Sequence, residues 1–171
     1  MKMLLYVLGG VLVVVILVGA VAAIIGARLP KGHVASGSRV LRQPPHQVYA
    51  VARNFKDAPS WRPDLSKIEI FDGPGGQVQF REHARHGTVN YGLVEDVPGQ
   101  RMVTRILDTN LGYSGSWTYV FAPSGDGTQL TITENGEVSN VLFRFMSRYF
   151  FSQTATIEAY LTALARRVGA R

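Results

Sequence analysis

The sequence predicts an α+β fold, in which an antiparallel sheet curls around a long C-terminal helix and one transmembrane helix precedes it. Three features carry this prediction: an uncharged apolar run near the N-terminus, a series of short alternating segments, and an amphipathic stretch at the C-terminus. The 171 residues suffice for one domain and an appendage. A hydrophobic content of 46% with 18% charged residues is typical of a globular or membrane-associated chain, not a disordered one.

The N-terminal segment Leu4–Ile25 is apolar apart from the hydroxyl group of Tyr6. As a helix it would be about 33 Å long at about 1.5 Å per residue, which matches a bilayer hydrocarbon core of about 30 Å. It also has no polar face of the kind that a buried core helix of a globular domain shows. We therefore predict a transmembrane anchor at residues 1–27, a linker at 28–37 and a folded domain at 38–171.

A cleaved signal peptide is the alternative interpretation of this segment. Lys2 would supply its positive start, and Ala20-Val21-Ala22 fits a small-residue cleavage site. The apolar run is longer than a usual signal core and continues through Ile24 and Ile25, so we favour a single-pass anchor. More basic residues follow the segment than precede it, which favours a cytoplasmic C-terminal domain by the positive-inside rule.

Charge and cysteine content exclude several classes of function. The net charge of +6 and the pI of about 9.9 indicate anionic partners. The Lys and Arg residues are scattered and not interleaved with aromatic residues, so we expect no nucleic acid and favour lipid or no charged partner. The absence of cysteine excludes disulfides, thiolate metal sites and a cysteine nucleophile. The sequence leaves the oligomeric state open.

Six strand-like runs with turn residues between them follow a first strand that ends over Ser38–Arg42. Their spacing of about ten residues predicts an antiparallel meander, and the lack of intervening helices argues against a parallel sheet. The predicted runs are Leu65–Phe71, Gln77–His83, Thr88–Val97, Arg101–Leu107, Tyr113–Phe121 and Thr128–Val138.

Helices are predicted on both sides of this meander. Pro44-Pro45 opens the first, and a stripe from Val48 to Phe55 faces the core. A helical turn is expected around Lys56–Ser60, before Trp61. The segment Asn140–Val168 is expected to form one long amphipathic helix, with apolar residues at steps of three and four.

The order of elements and several segments resemble the START-like (SRPBCC) superfamily, specifically its polyketide cyclase/dehydrase and lipid-transport group. The resemblance covers about residues 36–168 and does not include the anchor. It implies the helix-grip fold, with a cavity between sheet and long helix that holds a hydrophobic small molecule or lipid. The segments that carry it are Pro44–Tyr49, Phe55–Leu65 with Trp61 between prolines, Gly115–Phe121 and Gly127–Glu134.

Strand alternation then selects the side chains that could face this cavity. We predict ligand-binding positions from shared strand faces and from the Trp61 segment. A general base with a raised pKa, hydrogen-bonding tyrosines and an arginine for a carboxylate would together make an active site. Structural ion pairs and half-buried tyrosines are the alternative explanation of the same residues. The predicted residues are Trp61, Phe80, Glu82, Tyr91, Arg105, Trp117, Tyr119 and Glu134.

No cofactor and no metal are expected. The sequence contains no nucleotide or flavin signature, and His83 and His86 lie at a strand end and a turn without an evident third ligand. Phe143 and one of the pair Phe150 and Phe151 exceed what core packing needs, so they are expected at the cavity mouth or against the bilayer.

Three functions remain open: a membrane-anchored domain that binds a lipid or other apolar molecule, a polyketide cyclase/dehydrase-like enzyme, or a protein-interaction module whose cavity is filled by its own side chains.

Overall fold

A computed structural model describes residues 2–85 and 87–169. Helix α1 spans Lys2–Arg28 and precedes the sheet, while α2 spans Pro45–Arg53 and a 3-10 helix follows it at Phe55–Ser60. The strands are β1 Gly32–Leu41, β2 Leu65–Asp72, β3 Val78–Ala84, β4 Gly87–Val97, β5 Arg101–Ile106, β6 Tyr113–Ser124 and β7 Gly127–Val138. Two helices close the fold, α3 at Val141–Tyr149 and α4 at Ala155–Arg167.

The seven strands form one antiparallel sheet in the order β1-β7-β6-β5-β4-β3-β2. Neighbouring strands from β2 to β7 are joined by short turns, and β1 adds to the free edge of β7. The predicted α+β architecture is thus confirmed, and the six runs of the meander lie within a few residues of their predicted positions. The predicted α2 and the short helical turn after it are also confirmed.

The core lies between the sheet and α4. Alternate residues of the strands face it, since successive side chains of a strand point to opposite sides. Tyr119, Phe121, Leu130 and Ile132 are buried from the sheet side. From the helix side, α4 contributes Ile157, Tyr160, Leu161 and Leu164, which follow the helical spacing of three and four.

The predicted single helix over Asn140–Val168 is wrong, because residues 150–154 separate α3 from α4. Ser152, Gln153 and Thr154 interrupt the apolar pattern, and serine and threonine side chains compete with helical backbone bonding. Thr154 donates from Oγ1 to the Glu158 carboxylate over 2.7 Å at the start of α4. The two helices also have different partners, since α4 packs on β1 and α3 packs on α1.

The predicted linker at 28–37 is too long, because β1 begins at Gly32. The strand pairs with β7 along its whole length, from Gly32 opposite Glu137 to Leu41 opposite Thr128. Gly37 does not mark a flexible connection. A Cβ there would come within 2.8 Å of Ile157 Cγ2, so glycine allows α4 to approach the strand closely.

Helix α1 is long and apolar enough to cross a membrane, and a signal sequence near an N-terminus meets the same criteria. Its 27 residues span about 40 Å at about 1.5 Å per residue. Its apolar side chains are exposed over most of its length, for example Val15 at 61%. Its C-terminal end contacts α3, so α1 is attached to the domain by more than the chain that follows it.

Candidate functional site

Two adjoining hollows lie between the concave face of the sheet and the helices. The larger, here called the outer cavity, has a volume of about 600 Å³. The smaller, here called the inner pocket, holds about 60 Å³. Tyr91, Trp117 and Thr156 line both, so the inner pocket adjoins the outer cavity. A cavity of this size is within the range of about 300–1,000 Å³ that is usual for small-molecule sites.

The outer cavity is lined by the ends of β4, β6 and β7 and by the α3–α4 region. Its apolar lining includes Ile106, Leu111, Trp117, Phe143 and Phe151. Glu134 and Glu137 contribute carboxylates, and the described lining contains His33 but no lysine or arginine. An anionic ligand would therefore meet carboxylates without a permanent positive charge to offset them.

Glu134 lies 3.4 Å from His33 Nε2, where β7 pairs with β1. Burial raises the pKa of Glu134, and the nearby histidine opposes part of that increase. The partner of Glu134 is therefore a histidine on the neighbouring strand.

The inner pocket has aromatic walls. Phe55 stacks on Phe80 with ring centroids 4.1 Å apart, and Phe80 stacks on Tyr91 at 5.3 Å. On the other side, Tyr160 packs edge-on against Trp61 at 5.4 Å and lies 5.5 Å from Tyr119. These rings fix the shape of the pocket, since each is held by at least one other aromatic residue.

The polar part of the inner pocket is built around Arg62. Its Nη1 donates to Glu82 Oε1 over 2.7 Å, and its Nη2 lies 3.3 Å from Glu82 Oε2 and 2.7 Å from Asp64 Oδ2. The side chains of Arg62 and Glu82 are each only 13% exposed. Burial raises the pKa of Glu82, and the Arg62 charge offsets part of this shift. Glu82 is thus already engaged by a guanidinium and is not a free base.

Several hydrogen-bonding groups in the pocket remain suited to a ligand. The Trp61 indole Nε1 is buried and has no hydrogen-bond partner among the described residues. Burial raises the pKa of Tyr91, Tyr119 and Tyr160, so their phenols stay protonated at neutral pH. Protonated phenols and an indole N–H can donate to a carbonyl or hydroxyl oxygen. Burying a donor without a partner costs free energy, so the Trp61 indole is the group in the pocket that gains most from a ligand oxygen.

The structure brings most of the predicted ligand-binding residues together. Trp61, Phe80, Glu82 and Tyr119 line the inner pocket, Glu134 lines the outer cavity, and Tyr91 and Trp117 line both. Arg105 is the exception, because its side chain is exposed and lines neither hollow. The expectation that it faces the cavity is therefore wrong, and the active-site arrangement that needed Arg105 to bind a carboxylate is not formed.

Sequence reasoning missed Arg62, Thr104 and Tyr160. Strand alternation could not place Arg62, which lies in the irregular segment between the 3-10 helix and β2. Tyr160 follows Ile157 by three residues on α4, so helical spacing alone would have found it. Thr104 lies on the same strand face as Met102, and both are buried.

Within the described residues, no group of three or more His, Asp or Glu side chains could hold a metal ion. His86 lies outside the described residues, so the predicted lack of convergence between His83 and His86 remains a prediction.

The family model described as polyketide cyclase/dehydrase and lipid transport matches residues 33–169. Among solved structures, the protein TTHA0849 from Thermus thermophilus is 20% identical with a TM-score of 0.67, covering 81% of this chain and 98% of its own.

A START superfamily protein from Mycobacterium smegmatis is 16% identical with a TM-score of 0.62, covering 80% of this chain and 97% of its own. The aromatase/cyclase Zhui from Streptomyces sp. R1128 is 16% identical with a TM-score of 0.63, covering 82% of this chain and 95% of its own. At such identities these likenesses establish the fold only. No curated protein matches the sequence significantly.

Proposed function

Because the chain belongs to the polyketide cyclase/dehydrase and lipid-transport family, we propose that it is a membrane-anchored domain that binds a neutral hydrophobic small molecule or lipid. The observation that carries this proposal is the outer cavity of about 600 Å³, which adjoins an inner pocket with an unpartnered indole N–H. A cavity of this volume weighs against the alternative of an interaction module with a filled interior.

The chemistry of the lining defines the ligand class. The apolar and aromatic walls of the outer cavity favour a hydrophobic body. The inner pocket supplies donors from Trp61 and the phenols, which favour a terminal carbonyl or hydroxyl oxygen. The carboxylates Glu134 and Glu137 disfavour an anionic headgroup. A neutral molecule with one oxygen-bearing end satisfies all three conditions.

An enzymatic function of the cyclase/dehydrase kind has less support from these residues. Glu82 and Glu134 are the two candidates for the general base. Both oxygens of Glu82 lie near Arg62, and Glu134 Oε1 lies 3.4 Å from His33 Nε2. Arg105 lies outside the cavity. No specific arrangement of acid, base and carbonyl-binding group among the described residues therefore favours catalysis over binding.

Native mass spectrometry of the full chain, released from detergent micelles after incubation with a membrane lipid extract, tests the binding function. We expect a stoichiometric adduct that organic solvent extracts and that has the mass of a neutral lipid. An adduct consisting of a fatty acid or an acidic phospholipid would contradict the proposed ligand class. A persistently ligand-free mass would contradict the binding function itself.

A matched pair of variants ties the adduct to the cavity. Thr156 lines both hollows, so Thr156→Trp would fill the junction between them. Ala159 is exposed on the same helix and lines neither hollow, so Ala159→Trp is the control. We expect the first substitution to abolish the adduct and the second to leave it unchanged.

Helix α1 is proposed as the anchor, with residues 1–27 retained and the domain on the cytoplasmic side. The chain contains no cysteine, so Ser124→Cys would provide a single reactive thiol on the domain. We expect a membrane-impermeant maleimide to label it only after cells are broken, and the intact mass to include residues 1–27. A mass that corresponds to cleavage after Ala22 would indicate a signal peptide instead.

A further inference from the structure

Helix α3 and the residue after it expose a continuous apolar surface. We define the aromatic surface as Leu142, Met146, Tyr149 and Phe150, which are 47%, 39%, 59% and 65% exposed. None of these residues lines the outer cavity or the inner pocket. Large apolar side chains grouped on one helix face are unusual at a free aqueous surface and commonly mark an interaction site.

The position of α3 relative to the end of α1 is fixed by close packing. Gly26 lies in the last turn of α1, and a Cβ there would overlap the Val141 carbonyl oxygen and approach Phe145 Cβ to 3.4 Å. Only a residue without a side chain lets α3 come this near. The aromatic surface is therefore held at the level where the apolar segment of α1 ends.

Arg144 locks the same junction. Its side chain is buried, with only 5% exposure, and all of its hydrogen bonds within the described part of the chain go to backbone carbonyls. Nη1 bonds to Gly26 O at 3.1 Å and Leu29 O at 3.3 Å, Nε to Val138 O at 2.9 Å, and Nη2 to Ser139 O at 3.1 Å. The guanidinium thus satisfies carbonyls at the C-terminus of α1, where a positive charge is also favoured by the helix dipole.

The charge around the aromatic surface fits lipid headgroups. The stretch from Ser139 to Ile157 contains no aspartate or glutamate. Arg148 is exposed on α3, and Arg28 and Lys31 are exposed where α1 ends and just beyond it. An amphipathic helix with aromatic residues on one side and arginine beside them is typical of the membrane interface.

The opposite side of the same segment closes the outer cavity. Phe143, Ser147 and Phe151 line the cavity, and Phe143 lies 6.5 Å from Phe151 between ring centroids. The segment therefore has one side towards the ligand space and another towards its surroundings. Whatever contacts the aromatic surface is separated from the cavity by this one segment.

We propose that α3 and Phe150 lie in the headgroup region of the membrane that α1 crosses, so that the mouth of the outer cavity opens at the bilayer surface. A ligand would then pass between bilayer and cavity without entering bulk water. This inference rests on the proposed anchoring by α1 and on the proposed hydrophobic ligand. Its occupant is the lipid bilayer, since α1 and α3 are joined at the end of the apolar span.

Depth-dependent fluorescence quenching tests the proposal on the full chain. Because the chain contains no cysteine, single cysteines carrying bimane would be placed at Phe150, at Ser152 on the cavity lining, at Val15 in α1 and at Val40 in β1. The protein would be reconstituted into phosphatidylcholine vesicles with one-fifth phosphatidylglycerol, with and without spin-labelled lipid. Val40 is the matched control, since its side chain is 62% exposed and that of Phe150 is 65% exposed. It lies about 26 Å from Gly32, the first residue of β1 after the anchor, at about 3.3 Å per residue along the strand.

We expect spin-labelled lipid to quench bimane at Phe150 at least threefold more than at Val40, and at Ser152 to an intermediate degree. Quenching at Val15 with none at Phe150 or Ser152 would overturn the inference and leave the anchor intact. No quenching at Val15 would refute the anchor and the inference together. Quenching at Phe150 without any at Ser152 would show that the mouth of the outer cavity does not lie at the bilayer surface, which would overturn that part of the inference. A second label at Tyr149 guards against a local effect of substituting Phe150, and the same four outcomes apply to it.

Discussion

The ion pair between Arg62 and Glu82 is the polar centre of the inner pocket, and it is nearly inaccessible to solvent. Removing one member of a buried pair leaves an uncompensated charge, which commonly costs about 3–5 kcal/mol. We expect Arg62→Met to lower the free energy of unfolding by about 3 kcal/mol, because Glu82 would then be buried without a cation. Urea denaturation of the full chain in nonionic detergent micelles, followed by tryptophan fluorescence, measures this change.

Arg101→Met provides the matched control at a surface pair. Arg101 Nε lies 2.9 Å from Glu95 Oε1, and both side chains are more than 40% exposed, at 44% and 41%. Exposed pairs of this kind contribute about 0–1 kcal/mol. Equal losses for the two substitutions would show that the Arg62 pair is not buried in solution.

The titration of Glu82 gives a prediction with a definite sign. Burial raises the pKa of Glu82 above its ordinary value of 4.5, so the folded chain holds the proton more tightly than the unfolded chain. Its contribution to stability is therefore complete below about pH 4.5 and is lost as the pH rises through the folded-state pKa. In the Glu82→Gln variant the side chain at this position does not titrate, so its stability does not fall with rising pH on this account.

Urea midpoints measured from about pH 4 to about pH 8 should therefore show the wild type losing stability relative to Glu82→Gln as the pH rises. A difference that stays constant over this range, or that moves in favour of the wild type, would contradict a raised pKa. Glu69→Gln serves as the control for substituting a carboxylate on the neighbouring strand, since Lys67 lowers the pKa of Glu69 instead.

At the scale of single residues, strand alternation was a good guide to the cavity. It grouped Trp117 with Tyr119, and Phe80 with Glu82, and the structure places these pairs together. It also opposed Arg105 to Thr104, so the burial of Thr104 at 4% exposure requires Arg105 to point outward. The sequence alone does not tell which face of β5 meets the cavity, so the charge of Arg105 is the reason for its selection. Arg62 lies outside any regular strand, so alternation does not predict where its side chain points. Only the folded structure shows that it faces the inner pocket.

At the scale of elements, the C-terminal helix shows what periodicity cannot decide. Apolar residues at helical spacing run through α3 and α4, and the sequence predicts both to be helical. The spacing does not say which surface each helix faces. Ile157 and Leu161 face the sheet, whereas Leu142 and Met146 are exposed, and the chain bends at residues 150–154 to permit this. A helix turned towards a bilayer and one turned towards a core have the same pattern.

The contact between α1 and α3 yields a prediction at Gly26. Gly26→Ala would force its Cβ against the Val141 carbonyl, which belongs to the backbone and cannot rotate away. We expect a loss of about 1–3 kcal/mol, as for other overpacked sites. Thermal unfolding of the full chain in detergent micelles, followed by circular dichroism, would measure it.

Gly19 is the matched control, because a Cβ there would meet nothing within 4 Å. Gly19→Ala should leave stability unchanged or raise it by up to about 1 kcal/mol, since alanine is the better helix former. A Gly26→Ala variant as stable as Gly19→Ala would mean that α3 does not pack on α1.

At the scale of the whole molecule, the sequence predicted an anchor, a linker and a separate domain. The structure instead joins α1 to the domain through Gly26 and through the Arg144 bonds to carbonyls on both sides of the junction. No sequence pattern could reveal this, because a contact between two distant segments has no local period. Arg144 lies off the apolar face that the sequence predicts for the C-terminal helix, and its burial among backbone carbonyls gives it a structural role.

This connection predicts that the domain is incomplete without the end of α1. A fragment of residues 32–171 lacks Gly26 and Leu29, so Arg144 loses two of its carbonyl acceptors, and α3 loses the helix on which it packs. We expect amide hydrogen exchange in α3 of this fragment to be at least about tenfold faster than in the full chain in micelles. Exchange in the central strands β5, β6 and β7 should remain slow, because their pairing does not involve α1.

Arg144→Ala distinguishes loss of this junction from a general effect of truncation. In the full chain it should cost about 2–4 kcal/mol, because several buried carbonyls lose their donor. In the fragment its cost should be smaller, since two of those carbonyls are already missing and the effects are not additive. Equal costs in both chains would show that the Arg144 bonds to Gly26 and Leu29 contribute nothing. In that case only the packing of α3 on α1 around Gly26 would join the anchor to the domain, besides the backbone between Arg28 and Gly32.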